Sequence, residues 1–291
     1  MTKTVQVLLT AAIAAVVALG VLQFGPQRDV KSAKATESVY DRVMRTGTLR
    51  CAYLIYPPEE IMDPNTHELS GWSHDIVEKV GKELGLKIEW TEEVTAGTMF
   101  EGVLSSRFDA LCSTVWESPE RSRHVLFTQN VAYPTYYPFV RADDNRFDQD
   151  ISRINSPDVT VAVVDGEYGQ MVASEFFPQA KQDSLPKLTI YNAVFQDIVS
   201  RKADAVFAVP ATGQAFMKNS PGTLKMLNRE VVVMPASVIM LNPDEIKLKL
   251  LLDSTLRHLL NRGVVKQILE KYHPGDKITN YPVAKPYALP E

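Results

Sequence analysis

Arg121 closes the run Trp116-Glu117-Ser118-Pro119-Glu120-Arg121, directly after the apolar stretch Ala110–Val115. A guanidinium at such a strand-to-helix junction presents a rigid fork of donors suited to bidentate binding of a carboxylate. The acids Glu59, Glu60, Glu117 and Glu167 could pair with a cation on a ligand. The rings of Trp116 and Tyr168 could stack on its flat or apolar part. Each residue has a plainer reading. Arg121 could be a helix-start residue paired with a nearby acid, Trp116 a core aromatic, and Glu59-Glu60 a solvated loop tip. Other chemistries find no support in the spacing. His67, His74, His124, His258 and His273 are scattered, and the two cysteines stand alone, so no metal-ligand pattern is present. Neither a Gly-rich phosphate loop nor a G-x-S-x-G nucleophile elbow occurs. No cofactor is expected.

The elements that must hold these residues are written nearly twice. Met99-Phe100-Glu101-Gly102-Val103-Leu104-Ser105-Ser106-Arg107-Phe108-Asp109-Ala110-Leu111 is echoed by Val194-Phe195-Gln196-Asp197-Ile198-Val199-Ser200-Arg201-Lys202-Ala203-Asp204-Ala205-Val206. Each copy reads as the end of an amphipathic helix, a polar turn, an Asp and a buried strand. The copies lie about 95 residues apart, beyond any solenoid period, and so predict two similar α/β lobes with a cleft between them. Around them, Leu49–Ile55 reads as a buried strand stopped by Tyr56-Pro57-Pro58. Ser73–Leu84 reads as a helix with Ile76, Val77, Val80 and Leu84 on one face and Gly85 at its end. Further strands are expected at 87–90, 159–164, 188–191, 205–209, 231–233 and 237–241. Further helices are expected at about 167–176, at 246–261 and, past Gly263, to about Tyr272. Alternating strands and helices imply parallel pairing. The start of the first lobe and the end of the chain both read as helical, so the second lobe is expected as an insertion. The resulting division is 38–140 and 233–275 for the first lobe, 141–232 for the second and 276–291 for an extended tail. Crossings are expected near 138–142 and 231–238.

The bulk properties fit this picture. Of 291 residues, 45% are hydrophobic and 23% charged, which is ordinary for a globular chain with a real core. A net charge of −4 leaves no electrostatic footprint for nucleic acid. Residues 1–37 stand apart. Val5–Phe24 is almost wholly apolar, and at about 1.5 Å per residue it reaches roughly 30 Å, a bilayer core. It reads as a secretory signal or an uncleaved helical anchor in the cytoplasmic membrane, followed by a polar tether. Its length and the weak, distant small-x-small site Ala33-Lys34-Ala35 favour the anchor. Cys51 and Cys112 could pair in an exported chain. Buried free thiols are the preferred reading, because adjacent strand residues seldom meet disulfide geometry.

Five blocks, in order, carry a resemblance. Val39-Tyr40-Asp41-Arg42-Val43-Met44-Arg45-Thr46-Gly47-Thr48-Leu49-Arg50 opens it. Tyr56-Pro57-Pro58, then Leu69-Ser70-Gly71-Trp72-Ser73-His74-Asp75-Ile76, follow. Ser118-Pro119-Glu120-Arg121 with Val125-Leu126-Phe127-Thr128 comes next, and Leu259-Leu260-Asn261-Arg262-Gly263 through Lys271-Tyr272 closes it. Over most of 38–275 the chain resembles the bacterial extracellular solute-binding proteins of the polar amino-acid type, receptors of ABC importers. The resemblance implies the α/β clamshell of periplasmic binding proteins. Two lobes joined by two hinge crossings close on a small ligand and deliver it to a permease. It implies a periplasmic, secreted or membrane-anchored location. Arg121, Thr114, Tyr56 and Tyr53 are candidate ligand contacts, together with Trp116, Glu59, Glu167 and Tyr168.

Departures from the family pattern bear on the ligand. Trp116 stands where a small hydroxyl residue helps hold the ligand carboxylate. Gly166 is followed by Glu167 and the bulky Tyr168 instead of a small hydroxyl residue. Val209 stands where the family carries the Asp that binds the ligand ammonium. A buried ammonium without a carboxylate partner would cost several kcal/mol, about 3–5 when one partner of a pair is lost. A plain α-amino acid held in the usual way is therefore not expected. Alternatives are a lyase similar to periplasmic cyclohexadienyl dehydratases, with Glu167 or Glu117 as the acid and Arg121 as the clamp, or a membrane-tethered sensor or adaptor.

Overall fold

A computed structural model describes residues 37–186, 192–227, 232–272 and 280–283. The expected signal or anchor at 5–24 and the expected strand at 188–191 lie outside these residues. The first lobe begins with α1 (Val39–Thr46), β1 (Thr48–Tyr53), a small hairpin of β2 (Ile61–Met62) and β3 (Leu69–Ser70), α2 (Trp72–Leu84) and β4 (Lys87–Glu93). It continues through α3 (Met99–Leu104), β5 (Ala110–Trp116), a 3-10 turn at Arg121–Arg123, β6 (Leu126–Phe127) and β7 (Ala132–Pro134). The second lobe holds β8 (Tyr137–Arg141), β9 (Thr160–Val164), α4 (Tyr168–Phe176), β10 (Lys181–Leu185), α5 (Asn192–Val199), β11 (Ala205–Ala208), α6 (Pro210–Asn219) and β12 (Leu224–Met226). The chain then returns through β13 (Ser237–Leu241), α7 (Ile246–Asn261), α8 (Val264–Tyr272) and β14 (Asn280–Pro282).

Two separate sheets result. The first runs β14-β7-β13-β5-β1-β4, with β6 also on β13, and the second runs β10-β9-β11-β8-β12. Pairing is parallel for β1 with β4 and β5, and for β9 with β10 and β11. It is antiparallel where β13 meets β5 and where β8 meets β11. The change of sheet falls between Pro134 and Tyr137 on the way out, a few residues ahead of 138–142, and between Met226 and Ser237 on the way back. The two passes touch: Tyr136 N donates to Val233 O at 3.0 Å and Val232 N to Tyr136 O at 3.0 Å.

Local signals explain the elements that hold the site. The hydroxyl of Ser38 caps α1, and Gly47, at φ 66°, ends it. Trp72, Ile76, Val77 and Val80 form the buried face of α2, packed with Leu49, Leu248 and Leu256 in the first core. Central β5 is apolar or small and buried through Thr114, since helices α2 and α3 pack on it.

The sequence echo is a repeated clamp. Asp109 N donates to Arg50 O at 2.9 Å, and Arg50 N donates back to the Asp109 carboxylate at 2.7 Å. Asp204 N donates to Thr160 O at 2.7 Å, and Thr160 N donates back to its carboxylate at 3.0 Å. Each aspartate also holds arginines: Arg42 and Arg50 in the first lobe, Arg141 and Arg146 in the second. Ser106 and Arg201, at corresponding places in the turns, both take positive φ.

Two expectations are corrected. Cys51 and Cys112 are not free thiols; they form a disulfide with Cα atoms 5.4 Å apart. Cys51 is in register with Ala110, so Cys112 projects from the same face two residues further along the neighbouring strand. That stagger permits the bridge, and sequence alone does not give the register. In addition, Lys181–Leu185 is a strand that the reading above lacks. It is a largely exposed sheet edge, so it carries polar residues instead of an apolar run.

Candidate functional site

Residues from both lobes and from both passes line one cavity of about 80 Å³. The loop after β1 contributes Tyr56 and Glu59, β5 contributes Thr114 and Trp116, and the turn after it Arg121. The passes contribute Tyr136 and Pro235, and the second lobe Glu167 and Val209.

Arg121 is held by its backbone and by a ring. Its N–H donates to the Ser118 hydroxyl at 3.2 Å and its Nη1 to Trp116 O at 3.0 Å. The guanidinium lies over Trp116, 3.4 Å from the ring centroid, with Phe100 5.5 Å away. Tyr168 meets Trp116 edge-on at 5.0 Å and is itself 4.9 Å from Tyr136, so Tyr168 braces the ring from behind. Burial lowers the Arg121 pKa to about 10, against the nearby charges of Glu167 and Glu120. The group stays cationic, and among the described residues only its Nη1 makes a hydrogen bond. A wider hollow of about 430 Å³, reaching Phe100, Leu104 and His124, shares Trp116 and Arg121 as a partition.

The adjacent acids face different ways. Thr114 donates its hydroxyl to Glu59 Oε2 at 3.1 Å, and burial lifts the Glu59 pKa to about 8. Thr114 is itself fixed, because its N–H donates to Ser73 Oγ at 3.0 Å. Glu60 points into the first lobe, fully buried, and accepts from Ser113 Oγ at 3.1 Å. Its other oxygen has no partner among the described residues, and burial, then the charges of Glu59 and Asp75, raise its pKa to about 8. The acids are pinned from below by Gly71. A Cβ there, at φ 131°, would come within 2.2 Å of Glu59 O.

Of the candidate contacts, Arg121, Thr114, Trp116, Tyr56, Glu59 and Glu167 converge on the cavity. Tyr53 is elsewhere, its ring edge-on to Trp90 at 6.3 Å. Tyr168 reaches the cavity only through Trp116 and Tyr136. Glu117 is exposed. Thr114 spends its hydroxyl on Glu59. Tyr136 and Pro235 escaped the sequence reading. The cluster Tyr133-Pro134-Thr135-Tyr136-Tyr137, aromatic at an expected change of lobe, was the available signal.

Buried Glu60 makes a stability prediction. A carboxyl whose pKa rises from 4.5 to about 8 on folding holds a proton that the unfolded chain has released. Stability therefore falls as pH rises through that window, by up to about 1.4 kcal/mol per pH unit. Glu60→Gln, which still accepts from Ser113, is expected to melt higher than the parent at pH 8 and similarly at pH 4.5. Parallel melting profiles across this range would refute it.

Two separate sheets with helices packed on them define a two-lobed α/β fold of the solute-binding kind. The chain belongs to the bacterial extracellular solute-binding proteins, family 3, which residues 49–275 match. It is 31% identical over 108 residues to a "Probable amino-acid ABC transporter-binding protein" of Haemophilus influenzae. That match spans 37% of this chain and 41% of the relative, less than half its length. Among solved structures, the ancestral amino acid-binding protein AncCDT-1, a precursor of cyclohexadienyl dehydratase, aligns with TM-score 0.68 and 25% identity over 81% of this chain and 99% of its own. An amino acid ABC transporter substrate-binding protein from Streptococcus pneumoniae, bound to L-arginine, shares the fold. Its TM-score is 0.65 and its identity 18%, over 80% of this chain and 97% of its own. The family is one of solute-binding proteins, not enzymes, and the lyase alternative is not favoured. Among the described residues no helix is long and apolar enough to cross a membrane.

Proposed function

We propose that the protein is an extracytoplasmic receptor whose lobes close on a small carboxylate-bearing solute and present it to an ABC importer. The carrying observation is Arg121, a half-buried cation that lines the cavity and, among the described residues, engages only one nitrogen of its guanidinium in a hydrogen bond. A carboxylate is the anion that best matches that fork. The passes at 135–136 and 232–236 serve as the hinge, and the segment 5–24 as export signal or anchor, which sets a periplasmic location.

Val209 supplies an apolar wall, so the solute differs from a plain α-amino acid in where its nitrogen is held. Trp116 and Tyr136 suit a flat or apolar part of it. Mass spectrometry of small molecules retained by the purified protein, followed by calorimetry, tests the reading. A retained carboxylate-bearing compound that rebinds is expected. A ligand with no acidic group, or one still bound equally well by Arg121→Ala, overturns it.

A further inference from the structure

The same cavity wall carries a second charged position with an unusual environment. Glu59 borders the cavity, and its one hydrogen bond to a side chain among the described residues comes from the neutral hydroxyl of Thr114. The groups around it come from every side. Tyr56 and Glu60 lie on its own loop, with Glu60 turned to Ser113 and Asp75 of α2 behind it. Thr114 comes from β5, and Glu167 and Val209 from the second lobe. Arg121, the lone cation lining the cavity among the described residues, is seated on Trp116 and bonded to its carbonyl. An ionised Glu59 would thus stand half-buried at the cavity wall beside other acids, with no cation bonded to it among the described residues. The two charges that the site lacks are complementary: an anion for Arg121 and a cation for Glu59.

We propose that Glu59 is a proton-exchanging subsite for a cationic nitrogen of the ligand, carrying a proton in the ligand-free protein and releasing it when that nitrogen seats beside it. The inference rests on the carboxylate-receptor reading above and adds to it the ligand's second charge. The exchange balances: a neutral carboxyl and an ammonium or guanidinium become an ion pair, and one proton leaves to solvent. Burial raises the Glu59 carboxyl to about 8, so near pH 7 the proton is present to be released. Affinity for a ligand of this class then rises up to tenfold per pH unit towards pH 8 and levels above it.

Calorimetry on the full chain tests this, in two buffers of different ionisation enthalpy, between pH 6 and 8.5. The probes are L-arginine and γ-aminobutyrate, which carry both charges, and glutarate, which carries only acids. At least one nitrogen-bearing probe is expected to bind with release of close to one proton at pH 7. Glu59→Gln, which still accepts from Thr114, is expected to abolish that release, flatten the pH profile and weaken binding at least tenfold. The wild-type proton count stands whether or not the variant folds well. Binding of a nitrogen-bearing probe without proton release, or unchanged in Glu59→Gln, overturns the proposal. Binding confined to glutarate and lost in Arg121→Ala also overturns it and leaves the carboxylate receptor standing. Failure of all three probes overturns it too, and the retained-ligand measurement then decides the receptor reading separately.

Discussion

Arg121→Ala is expected to weaken ligand binding by about 30-fold to several thousand-fold, while the ligand-free protein melts no lower than the parent. The first half follows from removing one partner of a buried, charge-assisted pair, which costs about 2–5 kcal/mol. The second half follows from the environment of the guanidinium. Burial disfavours its charge enough to lower its pKa to about 10, and among the described residues its one hydrogen bond goes to a backbone carbonyl. Folding therefore gains little from the charge, and binding gains much. Arg121→Lys separates charge from shape. It keeps a cation but loses the planar fork and the stacking on Trp116, so most of the loss is expected to remain. Calorimetry with the retained ligand, beside thermal melts, reads both halves. Wild-type affinity in Arg121→Ala would remove this residue from the site.

Replacing Cys51 and Cys112 together by alanine is expected to cost roughly 2–5 kcal/mol of stability. The bridge spans a sequence separation of 61 and joins two central strands of the first sheet. Without it the unfolded chain regains the freedom that the cross-link removes. The two positions are also almost wholly inaccessible, so the lost sulfurs leave space in a packed core. Denaturant unfolding should show a lower midpoint, and reductant should reproduce the shift in the parent protein but not in the double variant. The carbonyl of Cys112 accepts from Ser73 Oγ at 3.2 Å, and that same Ser73 oxygen accepts from Thr114 N. These bonds involve backbone and Ser73, so the folded variant should keep its ligand affinity. A midpoint within experimental error of the parent would refute the expected role.

What was legible in the sequence was whatever local chemistry determines. The echo around Asp109 and Asp204 could be read because each aspartate must accept from a neighbouring strand's N–H and from arginines, which fixes residue type and spacing. The helices Trp72–Leu84 and Ile246–Asn261 declared themselves through apolar periodicity and, for the first, its glycine end. Arg121 could be singled out from its place after a buried strand. Pairings between distant segments were not legible. That Thr114 serves Glu59, and that Glu60 turns inward while Glu59 borders the cavity, depend on how the loop rests on Gly71. The bridge between Cys51 and Cys112 depends on strand register. The edge strand Lys181–Leu185 carries no apolar signal because solvent covers much of it.

The strand order of the two sheets also sets an order of assembly. The strands of the second sheet come from one uninterrupted stretch, Tyr137 to Met226, so its contacts close over moderate lengths of chain. The first sheet cannot be finished so early, because β13 must slot between β5 and β7. Nor can α1 be secured before Glu245 arrives to accept from the backbone of Val39 and Tyr40. Long loops cost entropy before their contacts repay it, and the amino-terminal part of a chain emerges first. The middle of the polypeptide is thus free to mature while its beginning waits for its end. Until Ser237 and Val238 arrive opposite Trp116 and Val115, the end of β5 that borders the cavity stays unpaired on that side, so the wall that would hold a solute is completed late in the growth of the chain.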